Sequence, residues 1–396
     1  MLKSLRSIMF IAMAFSFVLA ACGTSATPTA MPATQAPAMT QAPAATAMPA
    51  STATPTPLAP GSITLNGSGS TFQAPAESEY AFAFPLVDPA VVINYQGTGS
   101  GAGKKAIIDG TVDFAGSDAV LSADETTQGK DLQMYPFLAG ATVLMYNIPE
   151  LDPKGPALIL DGNTLVGIYN ATITKWNDPA IAALNPQIAS KLPAKQITVV
   201  HRSDGSGTTS IFTAALTSFS SAWTAGSGTT INWPADKAGN GVGGNGSAGV
   251  AAAVQATPES IGYVEYSYAV TNKIAFAQMV NKAGKTVTAS PDSTAAAMSD
   301  FASAFTPQLT ATIVNGGGDG SWPIAGYTYI IIHQTSMTDC VKASKLVEYI
   351  NWILTNPVAT NKAKALGYVP LPSAVLQLAQ AKLGQVTCNG QPVMAH

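Results

Sequence analysis

From Gly61 onward the chain alternates short apolar runs with clusters of Gly, Ser and Thr. Ser62-Ile63-Thr64-Leu65 predicts a strand that runs into Asn66-Gly67-Ser68-Gly69-Ser70-Thr71-Phe72. Val91 to Tyr95 predicts a second strand, followed by a glycine turn over Gly97 to Gly103 and a helix over 104–109. A third strand, Val112 to Ala115, leads into Ser117-Asp118. Further on, Ile197 to Val200 reads as a buried strand, followed by Arg202-Ser203-Asp204-Gly205-Ser206-Gly207-Thr208. The helix after it carries Ile211, Phe212, Ala215 and Leu216 at i, i+1, i+4, i+5. Strand, Gly/Ser/Thr turn and helix recur along the chain, which predicts an α/β protein with ligands at the strand carboxyl ends.

These turns share one physical logic. Helix N-termini leave backbone N–H groups without intrahelical partners and carry the positive end of the helix dipole. Glycine lets that backbone approach an anion closely, while Ser or Thr adds a hydroxyl donor or a cap. A single such turn is commonplace in loops; several of them, each between a strand and a helix, point to an anion site. None fits G-x-x-x-x-G-K-[ST] or a strict G-x-G-x-x-G, which disfavours a nucleotide.

Ahead of Gly61 the pattern changes. Lys3 and Arg6 precede an apolar run from Ile8 to Ala21 that ends at Leu19-Ala20-Ala21-Cys22-Gly23. A basic head and an apolar stretch of this length read as a signal peptide over 1–21 rather than a membrane span. The ending resembles a bacterial lipobox, with small residues suited to a signal peptidase and Cys22 as the lipidated residue. An ordinary cleaved signal with a chance cysteine is the other reading. Residues 22–60 then form a spacer: Thr24 to Pro60 holds no charged residue and no periodicity, and its repeated prolines keep it extended. Acyl chains on Cys22 would tether the protein outside the cytoplasm, on a membrane surface.

Composition narrows the function classes. At 396 residues the chain exceeds what one core organises well, so two lobes are expected. Charged residues make up only 10%, and the net charge of -3 leaves no basic footprint for nucleic acid. The chain's 3 Cys and 3 His show no C-x-x-C or H-E-x-x-H spacing, so no metal and no cofactor are expected. Cys340 and Cys388 would meet an oxidising compartment after export, where a disulfide is permitted. The sequence does not show that their Cα atoms lie within bonding reach, so a disulfide and two free thiols both stay open.

The segments GSGSTFQAP (Gly67 to Pro75), NYQGTGSGAGKKAIIDGTVDFAGSDA (Asn94 to Ala119) and RSDGSGTTSIF (Arg202 to Phe212) resemble the phosphate-binding component of bacterial phosphate ABC transporters, the PstS family. YNATITKWNDPAIAALNP (Tyr169 to Pro186), SIGYVEYSYA (Ser260 to Ala269) and SWPIAGYTYIII (Ser321 to Ile332) follow the same order. The resemblance implies a two-lobed, type II periplasmic binding protein in which two crossing strands act as the hinge around a ligand cleft. Carried over, lobe 1 comprises 61–136 plus 322–396, and lobe 2 comprises 137–321. It further implies capture of inorganic phosphate, delivery to the membrane permease of an ABC importer, a monomer and no catalysis.

Residue by residue, the resemblance implies a hydroxyl from Thr71, a backbone N–H from Phe72 and a hydroxyl from Ser100. Ser206 and Thr208 offer hydroxyls and Gly207 a backbone N–H. Arg202 supplies charge in a planar fork suited to phosphate oxygens, with Asp204 holding it in place. Asp118 is the implied discriminator. A carboxylate can accept a hydrogen bond from protonated phosphate but meets sulfate as an unpaired like charge. Taken without the resemblance, Asp118 reads as a helix cap. Two departures stand out: Gly101 occupies the place of a second serine frequent in relatives, and Gln73 the place of a frequent proline, a change expected to matter little. Phe84 to Pro89 is also an unusual path into the strand at Val91.

Other residues read as structural. His201 and His333 end or lie in strands, and Trp176, Trp233, Trp322 and Trp352 suit packing. The GNGVGGNGSAG stretch within 232–251 reads as a surface turn or a loop near the cleft mouth. Two rival functions remain in view. A hydrolase using Ser206 lacks G-x-S-x-G and a Ser/His/Asp spacing. A binder of sulfate or molybdate is opposed by Asp118.

Overall fold

The computed structural model of the protein describes residues 58–393. The expected signal peptide, the expected lipidation of Cys22 and the spacer up to residue 57 lie outside the described residues. In chain order the first elements are β1 (Ile63–Gly69), α1 (Ala74–Ala83), β2 (Val91–Gln96), α2 (Ser100–Ile108), β3 (Phe114–Ser117), α3 (Ala123–Gly129) and β4 (Leu132–Asn147). Next come β5 (Ile159–Asp161), α4 (Gly162–Tyr169), α5 (Pro179–Leu184), β6 (Thr198–Arg202), α6 (Gly207–Phe219), α7 (Pro234–Ala238), β7 (Gly241–Gly244), α8 (Gly246–Ala256) and β8 (Ser260–Glu265). After α9 (Tyr266–Thr271), β9 (Gln278–Val280), β10 (Thr286–Val287), α10 (Pro291–Asp300) and β11 (Ile313–Val314), the frame is completed by β12 (Ile324–His333) and α11 (Cys340–Thr355).

The main sheet runs β2-β1-β3-β12-β4-β8-β6-β7. β1, β2 and β3 are mutually parallel on one side, and β6, β7 and β8 on the other. Two long strands join these groups. β4 pairs with β12 over its first part, up to Ala141, and with β8 from Thr142 onward. β12 pairs with β11 at its start and with β3 toward its end. Both strands are buried almost throughout, which fits their Val, Ile, Leu and aromatic content.

The one prolyl residue in β4 marks its irregularity. Pro136 has no N–H to give the ladder, so a proline inside a central strand needs a bulge. The β4–β12 register shifts there: Thr328 opposes Leu138 while Tyr329 opposes Pro136, leaving Phe137 as the extra residue.

Two local expectations are corrected. The helix expected over 104–109 begins at Ser100, because Gly99 adopts φ 91 and turns the chain early. Ser100 to Gly103 are therefore the first helical turn rather than loop. The glycine stretch within 232–251 is not a surface turn; it forms β7 and the start of α8. Its glycines allow backbone contact, since a Cβ on Gly244 would come within 2.6 Å of the Val250 nitrogen. Near the C-terminus, Cys340 at the start of α11 is disulfide-bonded to Cys388, with Cα atoms 5.4 Å apart. The four tryptophans read as packing residues are all buried.

Candidate functional site

The starts of α1, α2, α6 and α8 meet across the two groups of strands. The Gly101 nitrogen donates to the Gly205 carbonyl at 2.9 Å, linking α2 to the loop before α6. The hydroxyls of Thr71 and Ser247 lie 2.8 Å apart, and the Ser247 nitrogen donates to Thr71 Oγ1 at 3.3 Å, linking α1 to α8. The glycine at 101 is explained by this contact: a Cβ there would press on Gly205 Cα at 3.1 Å.

Asp118 follows β3 and is buried. Its Oδ1 accepts from Ser70 Oγ at 2.6 Å and lies 2.7 Å from Thr328 Oγ1. Its Oδ2 has a longer contact, Ser100 Oγ at 3.5 Å, and Ser100 Oγ also accepts from the Asp118 nitrogen at 3.2 Å. Burial pushes the carboxyl up to about 6, against the opposing effects of the Ser70 and Thr328 hydroxyls and the Arg202 charge. The capping role fails, because Ser122 caps α3 in a reciprocal box with Glu125.

Arg202 ends β6 with its side chain only 2% exposed. Its Nε donates to Asp204 Oδ1 at 2.7 Å, and its Nη2 donates to Oδ2. Asp204 is held in turn by the Gly246 nitrogen of α8 at 3.0 Å. Burial opposes the guanidinium charge, but the Asp204 bonds outweigh it and hold Arg202 above its ordinary range. Burial likewise opposes the Asp204 carboxylate, and the arginine overcomes this and holds it below the usual range.

Ser206 is the N-cap of α6 and accepts from the Thr209 nitrogen at 3.1 Å. Gly207 and Thr208 follow in the first turn, whose N–H groups have no intrahelical partner. A Cβ on Gly207 would come within 2.4 Å of Ser100 Oγ and 2.5 Å of Asp118 Oδ2. Glycine is thus required for β3, α2 and α6 to meet. The buried Thr208 hydroxyl has no hydrogen-bond partner.

Seen together, Ser100, Asp118 and Gly207 share one small volume, and Arg202, Asp204 and α8 form its flank. Thr71 is engaged by Ser247. The Phe72 nitrogen donates to Ser70 Oγ at 3.0 Å, so its amide has a protein partner in this arrangement.

Several polar residues here were not legible as site residues. Ser70 and Thr328 hold Asp118; Thr328 is the one aliphatic hydroxyl in the run Tyr327 to Ile332, set among aromatic and aliphatic side chains, a signal that a buried partner exists. Ser247 Oγ donates to Glu265 Oε2 at 2.8 Å, while Glu265 Oε1 is buried without a partner. Burial pushes the Glu265 carboxyl up to about 8, with Ser247 and Arg202 opposing. Gln73, expected to matter little, is fully buried and bonded to both Thr328 and Glu77. His201 points elsewhere: its Nε2 meets Asp236 at 2.8 Å and its ring stacks on Trp233. Among the described residues no cluster of His, Cys, Asp and Glu could hold a metal ion.

Comparison with known proteins gives consistent matches. Residues 33–357 match the PBP superfamily domain. The phosphate-binding protein PstS of Pasteurella multocida is 38% identical over 322 residues, covering 81% of this chain and 89% of that protein. The phosphate-binding protein PstS of Methanocaldococcus jannaschii is 34% identical over 336 residues, covering 81% and 85%. Among solved structures, a phosphate binding protein from Stenotrophomonas maltophilia superposes with a TM-score of 0.62 at 22% identity, covering 81% of this chain and 93% of its own. That likeness confirms the fold: a two-lobed periplasmic binding protein of type II.

Proposed function

Because this chain belongs to the PstS phosphate-binding proteins of the PBP superfamily, we propose that it captures inorganic phosphate outside the cytoplasm and delivers it to an ABC-type importer. The proposed ligand set is Thr71, Phe72, Ser100, Asp118, Arg202, Ser206, Gly207 and Thr208, with Asp204 holding the arginine. Lobe 1 (61–136 plus 322–396) and lobe 2 (137–321) would open and close about β4 and β12. Opening frees Thr71 from Ser247, and a ligand oxygen takes over the Phe72 amide from Ser70.

The observation that carries the reading is the unequal use of the Asp118 oxygens. Two protein hydroxyls lie within 2.7 Å of Oδ1, whereas Oδ2 has Ser100 at 3.5 Å and abuts the α6 start. An acceptor aimed among donors suits an oxyanion that still carries a proton, and phosphate near neutral pH does. The test is isothermal titration with phosphate, arsenate and sulfate. Phosphate should bind, arsenate should compete with it, and sulfate should do neither; sulfate binding as tightly as phosphate would overturn the reading.

The lipid anchor completes the proposal. Cys22 would hold a monomeric binding protein near its permease, with the Ala/Thr/Pro spacer setting its reach. Full-length protein expressed in a bacterial host should incorporate labelled fatty acid, and Cys22→Ala should not; label retained by the variant would remove the anchor from the account.

A further inference from the structure

A second carboxyl lies buried behind Asp118, and a chain of polar side chains connects the two. Thr328 Oγ1 sits 2.7 Å from Asp118 Oδ1 and 2.6 Å from Gln73 Oε1. The Gln73 amide nitrogen lies 3.2 Å from Glu77 Oε1, and Tyr349 donates its hydroxyl to Glu77 Oε2 at 2.7 Å. Gln73, Glu77, Thr328 and Tyr349 are all buried. Gly116 leaves room for the amide, since a Cβ there would come within 2.4 Å of Gln73 Nε2.

Counting hydrogens shows that this chain cannot be satisfied with both carboxyls ionised. Thr328 has one hydroxyl hydrogen and two oxygens within bonding reach. If it points to Gln73 Oε1, then Asp118 Oδ1 must carry a hydrogen of its own toward Thr328. If it points to Asp118, the Gln73 amide must turn over so that its nitrogen donates to Thr328. Gln73 Oε1 then faces Glu77 Oε1, and Glu77 must carry the hydrogen between them. Any other arrangement leaves two buried oxygens in contact without a proton, which costs the unmet pair its desolvation.

We propose that Asp118 and Glu77 hold one proton between them through Thr328 and Gln73, and that Glu77 keeps it when Asp118 accepts a hydrogen bond from the anion in the cleft. The two states contain the same atoms and the same charge. One has the proton on Asp118 and a carboxylate at Glu77; the other has a carboxylate at Asp118 and the proton on Glu77, with the amide reversed. No bond between heavy atoms changes. Glu77 and Gln73 are thereby positioning residues that set the ionisation of the ligand-facing carboxyl. The inference rests on the phosphate reading only for what occupies the cleft.

The surroundings favour a shared proton. Burial pushes Glu77 up to about 7, opposed by the Tyr349 and Gln73 bonds, and places it close to Asp118 at about 6. The groups acting on Glu77 are Tyr349 from α11 and Gln73 from its own segment, and Glu77 in turn raises the phenols of Tyr80, Tyr95 from β2 and Tyr349. Those acting on Asp118 are the hydroxyls of Ser70, Thr328 and Ser100 and the Arg202 charge, and Asp118 in turn raises Glu265 and the phenols of Tyr95, Tyr329 and Tyr368.

The test is carbon NMR of the side-chain carboxyls in protein labelled at Asp and Glu, titrated without ligand. Glu77→Gln, which presents its amide nitrogen to Gln73 as a protonated Glu77 would, should lower the Asp118 midpoint by about one pH unit or more. In a Thr328→Val background the same change should have little effect, and Thr328→Ser should restore it. An equal effect of Glu77→Gln with and without the Thr328 hydroxyl, or no effect in either, would overturn the relay. Phosphate added to wild type at neutral pH should move the Glu77 signal to its protonated position. A Glu77 signal unmoved by phosphate that binds would also overturn it. If phosphate does not bind, the phosphate reading falls, and the ligand-free comparison still decides the relay.

Discussion

At the scale of single residues, the balance of charge is less obvious than an arginine in an anion site suggests. Arg202 is already paired with Asp204 through both Nε and Nη2. Its net charge is largely spent inside the protein, so helix starts and hydroxyls must supply much of the attraction for an anion. Donors of this kind see only oxygen lone pairs and cannot tell phosphate from sulfate. Asp118 can. Replacing it by Ala removes an acceptor that only the protonated anion satisfies, and sulfate should then enter. An unmatched buried acceptor costs roughly 1–3 kcal/mol, so the phosphate-to-sulfate affinity ratio should shrink tenfold or more. Titration of Asp118→Ala with both anions checks this, and an unchanged ratio would place the discrimination elsewhere.

At the scale of elements, the strands around the site were legible because their residues can do little else. Val91-Val92-Ile93 and Val199-Val200 are β-branched runs, and both lie in strands of the main sheet. The helix starts were harder to read. Glycine and serine carry no periodicity, so nothing in Ser100 to Gly103 announces a helical turn until Gly99 is seen with positive φ. The candidate residues at 100, 118 and 207 were identified by type and order, but their meeting depends on Gly207 having no side chain, since a Cβ there would come within 2.4 Å of Ser100 Oγ and 2.5 Å of Asp118 Oδ2, and no spacing encodes that. Gln73 shows the same limit. Read as a loss of proline it looked neutral, yet it enters the interior only because Gly116 on β3 has no side chain and Thr328 on β12 has a hydroxyl. The pairing of β3 with β12 that brings these together spans more than two hundred residues of chain and leaves no local trace.

At the scale of the whole molecule, the ligand-free protein carries three buried carboxyls that resist ionisation. Asp118 is pushed up to about 6, Glu77 to about 7 and Glu265 to about 8, in each case chiefly by burial. The sign follows from proton binding. Between the ordinary carboxyl range and these raised values, the folded chain holds protons that the unfolded chain has released. Stability therefore falls as pH rises through that window, from about 4 toward 8. Each pH unit over which one group is protonated only in the folded chain is worth about 1.4 kcal/mol. Asp118 and Glu77 titrate as a pair, so their effects do not simply add. Opposing them, Asp131 and Asp204 are held below the usual range by their hydrogen bonds, despite partial burial, and their contribution is lost only in stronger acid. Urea unfolding of the ligand-free protein should thus show stability several kcal/mol higher at pH 5 than at pH 8. A flat or rising profile across this range would show that the three carboxyls ionise freely in the folded state.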